Sequence, residues 1–173
     1  MMRRWLMPLL LCAVFGTFAY HATLIATPFV LMRVSAAKAG KGLALNRFAF
    51  GPMTTAENQT IVRPSPDLAY SLCVFDVSRG PVMVRVEPVP GHYWSVSIFD
   101  ARTDVAAVRS DRDTGGKPAM LALVKPGQEA PVGYDAIPIK YDKGVALVRI
   151  LISHKAEFAA IDALRRKSFC KGA

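Results

Sequence analysis

The chain is poor in the residues that carry most metal and nucleophilic chemistry. It has three histidines (His21, His92 and His154) and three cysteines (Cys12, Cys73 and Cys170). No H-x-x-H, H-E-x-x-H or C-x-x-C spacing occurs, so the three or four convergent ligands of a zinc site are not in prospect. There is no G-x-S-x-G elbow, no G-x-x-x-x-G-K loop and no G-x-G-x-x-G turn. Neither a metal nor a cofactor is expected. Carboxylates are missing from the two ends: all 13 fall between residues 48 and 164. Glycine and proline, 12 of each, form no periodic array, which excludes collagen-like and low-complexity chains.

What is present is apolar. Of 173 residues, 52% are hydrophobic, too many for a disordered chain. The length suits one domain with an appendage. The formal net charge is +9, but the cations cluster outside the body. Arg3 and Arg4 precede the first apolar run; Arg33, Lys38, Lys41 and Arg47 follow it; Arg165, Arg166, Lys167 and Lys171 sit in the tail. The middle is close to neutral, with no basic stripe and no nucleic-acid reading motif, so no nucleic-acid partner is expected. Basic clusters beside an apolar run instead point to lipid headgroups.

From Trp5 to Met32 there is no charged side chain. About 20 apolar residues suffice to cross a bilayer, so residues 1–32 read as a short stub and a transmembrane anchor, with the lipid bilayer as its partner. Pro8 falls in a first turn and Pro28 marks the far end or a kink. A cleaved secretory signal is the competing reading, with small-residue sites near Ala19 and Ala36, but its apolar core is usually about 7–15 residues. The positive-inside count, two cations before the run and four after, leans toward a cytoplasmic C-terminal side. Residues 33–45, which include SAAKAGKG, read as a flexible tether.

The body, residues 46–173, reads as short strands between turn signals such as Arg79-Gly80-Pro81, Pro90-Gly91 and Gly115-Gly116. Val82, Val84 and Val86 alternate with Met83, Arg85 and Glu87; Trp94, Val96 and Ile98 alternate with Ser95 and Ser97. Period two marks a half-buried antiparallel strand. Leu68–Val77 and Val145–Ile152 are apolar on both faces, with Arg149 the lone charge in the second. Weaker strands are expected at Asp104–Val108, Met120–Val124 and Ala136–Ile139. Phe158, Ile161, Leu164 and Phe169 suggest a short C-terminal helix with Ser153 as its cap. The fold class is therefore mainly β: a β-sandwich or jelly-roll-like domain with an N-terminal transmembrane helix and a short C-terminal helix.

The motifs P-D-L-A-Y-S at Pro66–Ser71, D-V-S-R-G-P-V at Asp76–Val82 and Y-W-S-V-S-I-F-D at Tyr93–Asp100, with the later Asp111-Arg112, resemble the bacterial domain-of-unknown-function family 1254. The resemblance covers most of residues 46–170 and implies a β-sandwich or jelly roll. It also implies an inner-membrane protein with residues 1–4 in the cytoplasm and residues 33–173 in the periplasm, against the charge count. Larger members carry a companion domain, family 1214, in the same chain. The short form is expected to work beside a separate companion protein. Where larger members tend to have asparagine-rich sequence, this chain has Ser65-Pro66-Asp67 and Thr103-Asp104-Val105.

The remaining chemistry is a polar set: Asp67, Tyr70, Asp100, Arg102, Asp104, Arg109, Asp111 and Arg112. Two of its carboxylates are one possible acid–base pair of a small hydrolase or isomerase. The same residues also serve as turn caps and strand-end pairs. As a ligand site, Tyr93 offers a flat surface and Arg102 or Arg112 a fork for an anion. The candidate binding residues are Asp67, Tyr70, Tyr93, Asp100, Arg102, Asp111 and Arg112; no catalytic residue is assigned. Outside the cytoplasm Cys73 and Cys170 can pair; the alternative is a buried strand thiol and a free tail thiol. The function expected is that of a non-catalytic accessory or binding domain, with the hydrolase or isomerase as the alternative.

Overall fold

The structure, a computed structural model, describes residues 3–39, 44–55 and 64–172. An α-helix, α1, runs from Arg3 to Ala39. It is long and apolar enough to cross a membrane, and its Leu9, Phe15 and Phe18 are each more than 60% exposed. Exposed apolar surface of this extent calls for lipid or a protein partner. Pro28 does not end the helix, and neither do residues 33–39, which read as tether. Ala36, Ala37 and Ala39 are strong helix formers, and Pro28, Phe29, Met32 and Ala36 are half-buried along one face against the body. Of the rest of the expected tether, residues 40–43 lie outside the described residues.

The body is two packed sheets. The first has the strand order β1-β2-β8-β4-β5, from β1 (Phe48–Phe50), β2 (Leu68–Asp76), β8 (Lys143–Leu151), β4 (Trp94–Asp100) and β5 (Val105–Ser110). All its pairings are antiparallel. The second has the order β7-β6-β3-β9, from β7 (Asp135–Pro138), β6 (Ala119–Val124), β3 (Val82–Val86) and β9 (Phe169–Gly172). Here β6 and β7 run parallel. The alternation predicted for β3 is present in its burial; in β4 Trp94, Val96 and Ile98 are inside as expected, but Ser95 and Ser97 are buried too. They meet Val82, Val84, Leu121 and Leu123 across the sandwich core.

Two short helices complete the fold: α2 (Asp111–Thr114) and α3 (Phe158–Arg165), the latter entered through a 3-10 turn at Lys155–Glu157. Ile161 anchors α3 in the core. Phe169, assigned above to the helix face, stands on β9 instead, paired with Arg85. The helical spacing from Phe158 to Leu164 runs on to it only by coincidence, because the chain turns at Lys167 and Ser168. β9 carries Cys170, which forms a disulfide with Cys73 of β2, their Cα atoms 6.5 Å apart. The bridge joins one sheet to the other. On the opposite side Arg109 of β5 reaches Asp135 of β7 at 3.9 Å.

Candidate functional site

Strand register divides the polar residues between the two ends of the sandwich. Asp100, Arg102 and Asp104 close the β4–β5 hairpin. Asp100 is buried, and its Oδ1 accepts from the backbone N–H groups of Arg102 (2.8 Å) and Asp104 (3.1 Å). That shell holds Thr103 at φ 70°, a turn conformation costly for a β-branched residue. Asp100 is therefore a hairpin cap. Arg102 is exposed, 4.0 Å from Asp104.

Asp67, Tyr70, Tyr93, Asp111 and Arg112 lie at the other end, six residues along β4 from Asp100, or roughly 20 Å at 3.3 Å per residue. Three strand spacings separate Asp67, before β2, from Asp111, after β5, which is roughly 14 Å. An acid–base carboxyl pair of the glycosidase type spans about 5–9.5 Å. The sheet therefore keeps Asp100 apart from Asp67 and Asp111, which themselves stand three strand spacings from each other. Asp67, Tyr93 and Arg112 are exposed. The first two hold chain: the Asp67 carbonyl accepts from Ile152 N–H and that of Tyr93 from Leu151 N–H, both at 2.8 Å.

One row at this end differs. Ser110, Ser95, Arg149 and Tyr70 face one another in register across β5, β4, β8 and β2, on the face turned away from the core. Outward positions are normally wet, yet Ser95 has no exposed surface and Ser97 is 3% exposed. The Tyr70 hydroxyl accepts from Ser65 N–H at 2.9 Å, which ties the turn before β2 to this end of the row. Arg149 Nη2 donates to Ser97 Oγ at 3.4 Å. Arg149 Nε, Ser95 Oγ and the neighbouring Asp111 Oδ1 are buried without a hydrogen-bond partner. Among the described residues no carboxylate lies within ion-pair distance of Arg149. A half-buried guanidinium with a free Nε–H beside the unpartnered Ser95 hydroxyl is suited to receive an anionic or carbonyl oxygen. Of this row the sequence singled out Tyr70 and Asp111 and missed Ser95, Ser97 and Arg149. The available signal was Arg149, a single charge in an otherwise apolar strand.

At the opposite end the turns meet α1. Phe29 packs edge-on to Tyr141, ring centroids 5.3 Å apart, and Lys140 Nζ lies 5.5 Å from the Tyr141 ring. Beside this contact a cavity of about 260 Å³ is lined by Ala36, Ala37, Ala44, Leu45, Arg47, Val74 and Lys143. Lys143 Nζ is 3.6 Å from Asp76, whose carboxylate also accepts from Ser78 N–H at 2.9 Å. The Ser78 hydrogen bond foremost, against a burial penalty and aided by Lys143, holds the Asp76 carboxyl below its ordinary pKa. Among the described residues no grouping of His, Cys, Asp and Glu forms a metal cage.

The fold defines a two-sheet β domain with a single apolar N-terminal helix. The chain belongs to the family described as Protein of unknown function (DUF1254), whose model matches residues 45–172. No curated protein matches it. The crystal structure of the VPA0106 protein from Vibrio parahaemolyticus is similar, with a TM-score of 0.67 and 18% identity over 86% of this chain and 35% of that one. A putative uncharacterized protein from Burkholderia cenocepacia aligns at a TM-score of 0.46 and 14% identity, over 76% of this chain and 37% of the other. The chain thus spans little more than a third of the solved proteins it resembles.

Proposed function

We propose that this protein is a non-catalytic accessory or binding domain, anchored by α1 at the outer face of the bacterial inner membrane and acting with a partner protein. The observation that carries the reading is α1 itself. Its first turns expose apolar side chains on every face, as a lipid-embedded helix does, while its last turns pack against the body. A helix that is part of the domain's own packing is a poor candidate for removal as a signal. The Cys73–Cys170 bond supports an oxidising compartment, hence the periplasmic side, against the count of cations flanking α1. A separate companion protein of the family-1214 type is the proposed partner. The row of Arg149, Ser95 and Tyr70 is its proposed binding surface, or that of a small anionic ligand. The hydrolase alternative is disfavoured by the distance of Asp100 from Asp67 and Asp111 and by its use as a hairpin cap.

Crosslinking in intact membranes followed by mass spectrometry tests the reading. One specific partner, lost on Arg149→Glu, is expected; recovery of monomer alone would count against it. An alkaline phosphatase fusion after Ala173 is expected to be active. An inactive fusion, with a fluorescent conventional GFP fusion at the same point, would reverse the topology.

A further inference from the structure

We propose that the junction between α1 and the body is a binding site for the headgroup of an anionic phospholipid; this rests on the anchor reading above. The uncharged run is bracketed by Arg4 and Arg33. At 1.5 Å per residue their separation is about 43 Å, which matches the roughly 40–45 Å of a bilayer with its headgroup layers. Arg33 then stands at headgroup level. Ala36 and Ala37, which wall the cavity, lie one helical turn, about 5 Å, beyond Arg33, so the cavity stands at the outer edge of the headgroup layer.

The cavity has the composition of a lipid headgroup site. Ala36, Ala37, Ala44, Leu45 and Val74 give an apolar wall, and Arg47 and Lys143 supply two cations. The carboxylate close by, Asp76, is engaged by Ser78 and Lys143. Arg47 has no ion-pair partner among the described residues, and Arg33 and Lys38 are exposed on the adjoining helix. The local field is therefore positive beside a greasy surface, which suits a phosphodiester that carries its own glycerol and acyl chains better than free phosphate. The Phe29–Tyr141 contact pins the helix to the β7–β8 turn, so the cavity forms without a ligand.

The test uses the full chain in nanodiscs of equal parts phosphatidylglycerol and phosphatidylcholine, with retained lipid read by native mass spectrometry. Phosphatidylglycerol should be retained several-fold over phosphatidylcholine, at roughly fivefold per contributing cation. The preference should vanish in R47A/K143A, survive in R47K/K143R and survive in R3A/R4A. Equal retention in the wild type overturns the site without reference to any variant. Loss of the preference in R3A/R4A alone, or displacement of bound lipid by millimolar inorganic phosphate, also overturns it. Carbonate extraction of membranes separates the two readings. A shortened, soluble chain overturns the anchor and the site together, whereas an embedded chain without lipid preference overturns the site alone.

Discussion

Arg165 Nη1 donates to the carbonyl oxygen of Tyr70 at 2.6 Å, across 95 residues of sequence. Nη2 of the same guanidinium donates to the Gly51 carbonyl at 2.5 Å, and Nε donates to Asp162 Oδ1 at 2.7 Å. Arg165 is 1% exposed and lies between the rings of Phe50 and Phe158. One fork thus ties α3 to β2 and to the chain leaving β1. Arg165→Ala is expected to cost about 3–5 kcal/mol, because it strands two carbonyls and removes one of the two arginines that hold Asp162. Arg165→Lys should recover less than half, since an ammonium cannot span the fork. Urea denaturation of both variants checks this; a loss within experimental error would remove Arg165 from the scaffold.

Asp162 links this clamp to pH. Burial pushes its carboxyl up, but hydrogen bonds from Arg166 and Arg165 outweigh that and leave the pKa below its ordinary value. A carboxylate with a lowered folded-state pKa contributes stability above its unfolded pKa and loses it as the pH falls through the folded value. Melting temperature should therefore drop as the pH falls below about 4. Asp162→Asn should be less stable at pH 7 and show a shallower acid decline; an unchanged slope would assign acid sensitivity to Asp76 and Asp113, the other carboxyls held low.

The Cys73–Cys170 bridge closes a sequence separation of 97 residues. Reduction, or Cys73→Ser with Cys170→Ser, should cost about 2–4 kcal/mol. Titration of the unfolded, unreduced protein should find one thiol, from Cys12. Three thiols in protein isolated from its native cells would place the domain in a reducing compartment.

How much of this was legible in the sequence depends on where the information resides. The strands β3 and β4 follow from alternation within six or seven residues. β5 was expected at Asp104–Val108 and lies at Val105–Ser110, because the Asp100 cap extends the hairpin turn. β1 and β9 are three and four residues long and exist only through partners far away in sequence, so no local pattern announces them. Arg165 read as one of a basic tail triplet; its acceptors at Gly51 and Tyr70 cannot be seen from its neighbours. The polar set is divided between two ends because nearness in sequence along β4 is distance in space: Tyr93 and Asp100 mark opposite ends of one strand. Ser95 and Ser97 were correctly placed opposite Trp94, Val96 and Ile98, but alternation does not tell that this second face is buried as well.

Arg149 invites a test of whether its row is kept for function. A half-buried guanidinium without a counter-charge is a stability liability. Arg149→Met is expected to leave the fold intact and raise stability by about 1 kcal/mol while abolishing partner crosslinking. A clear loss of stability would make the row structural.

Gly144 sits where β8 passes between Phe75 and Phe99, and a Cβ there would collide with the Phe99 carbonyl and the Phe75 ring. Gly144→Ala should destabilise by about 3 kcal/mol or fail to fold, by overpacking. A neutral thermal shift would mean that β4 and β8 are further apart than described.

For the partner proposed above, the docking of the last turns of α1 on the body changes how this domain is found. A bead on a floppy leash samples every orientation, and a partner must catch the right one and then freeze it. Here the helix continues to Ala39, and Phe29 is packed against Tyr141. In a bilayer such a body turns only with its helix, about an axis the membrane already fixes. Much of the orientational entropy of association is then lost before any encounter, and the search becomes two-dimensional. A weak contact surface, too small to hold two proteins together in solution, is sufficient between neighbours aligned in this way.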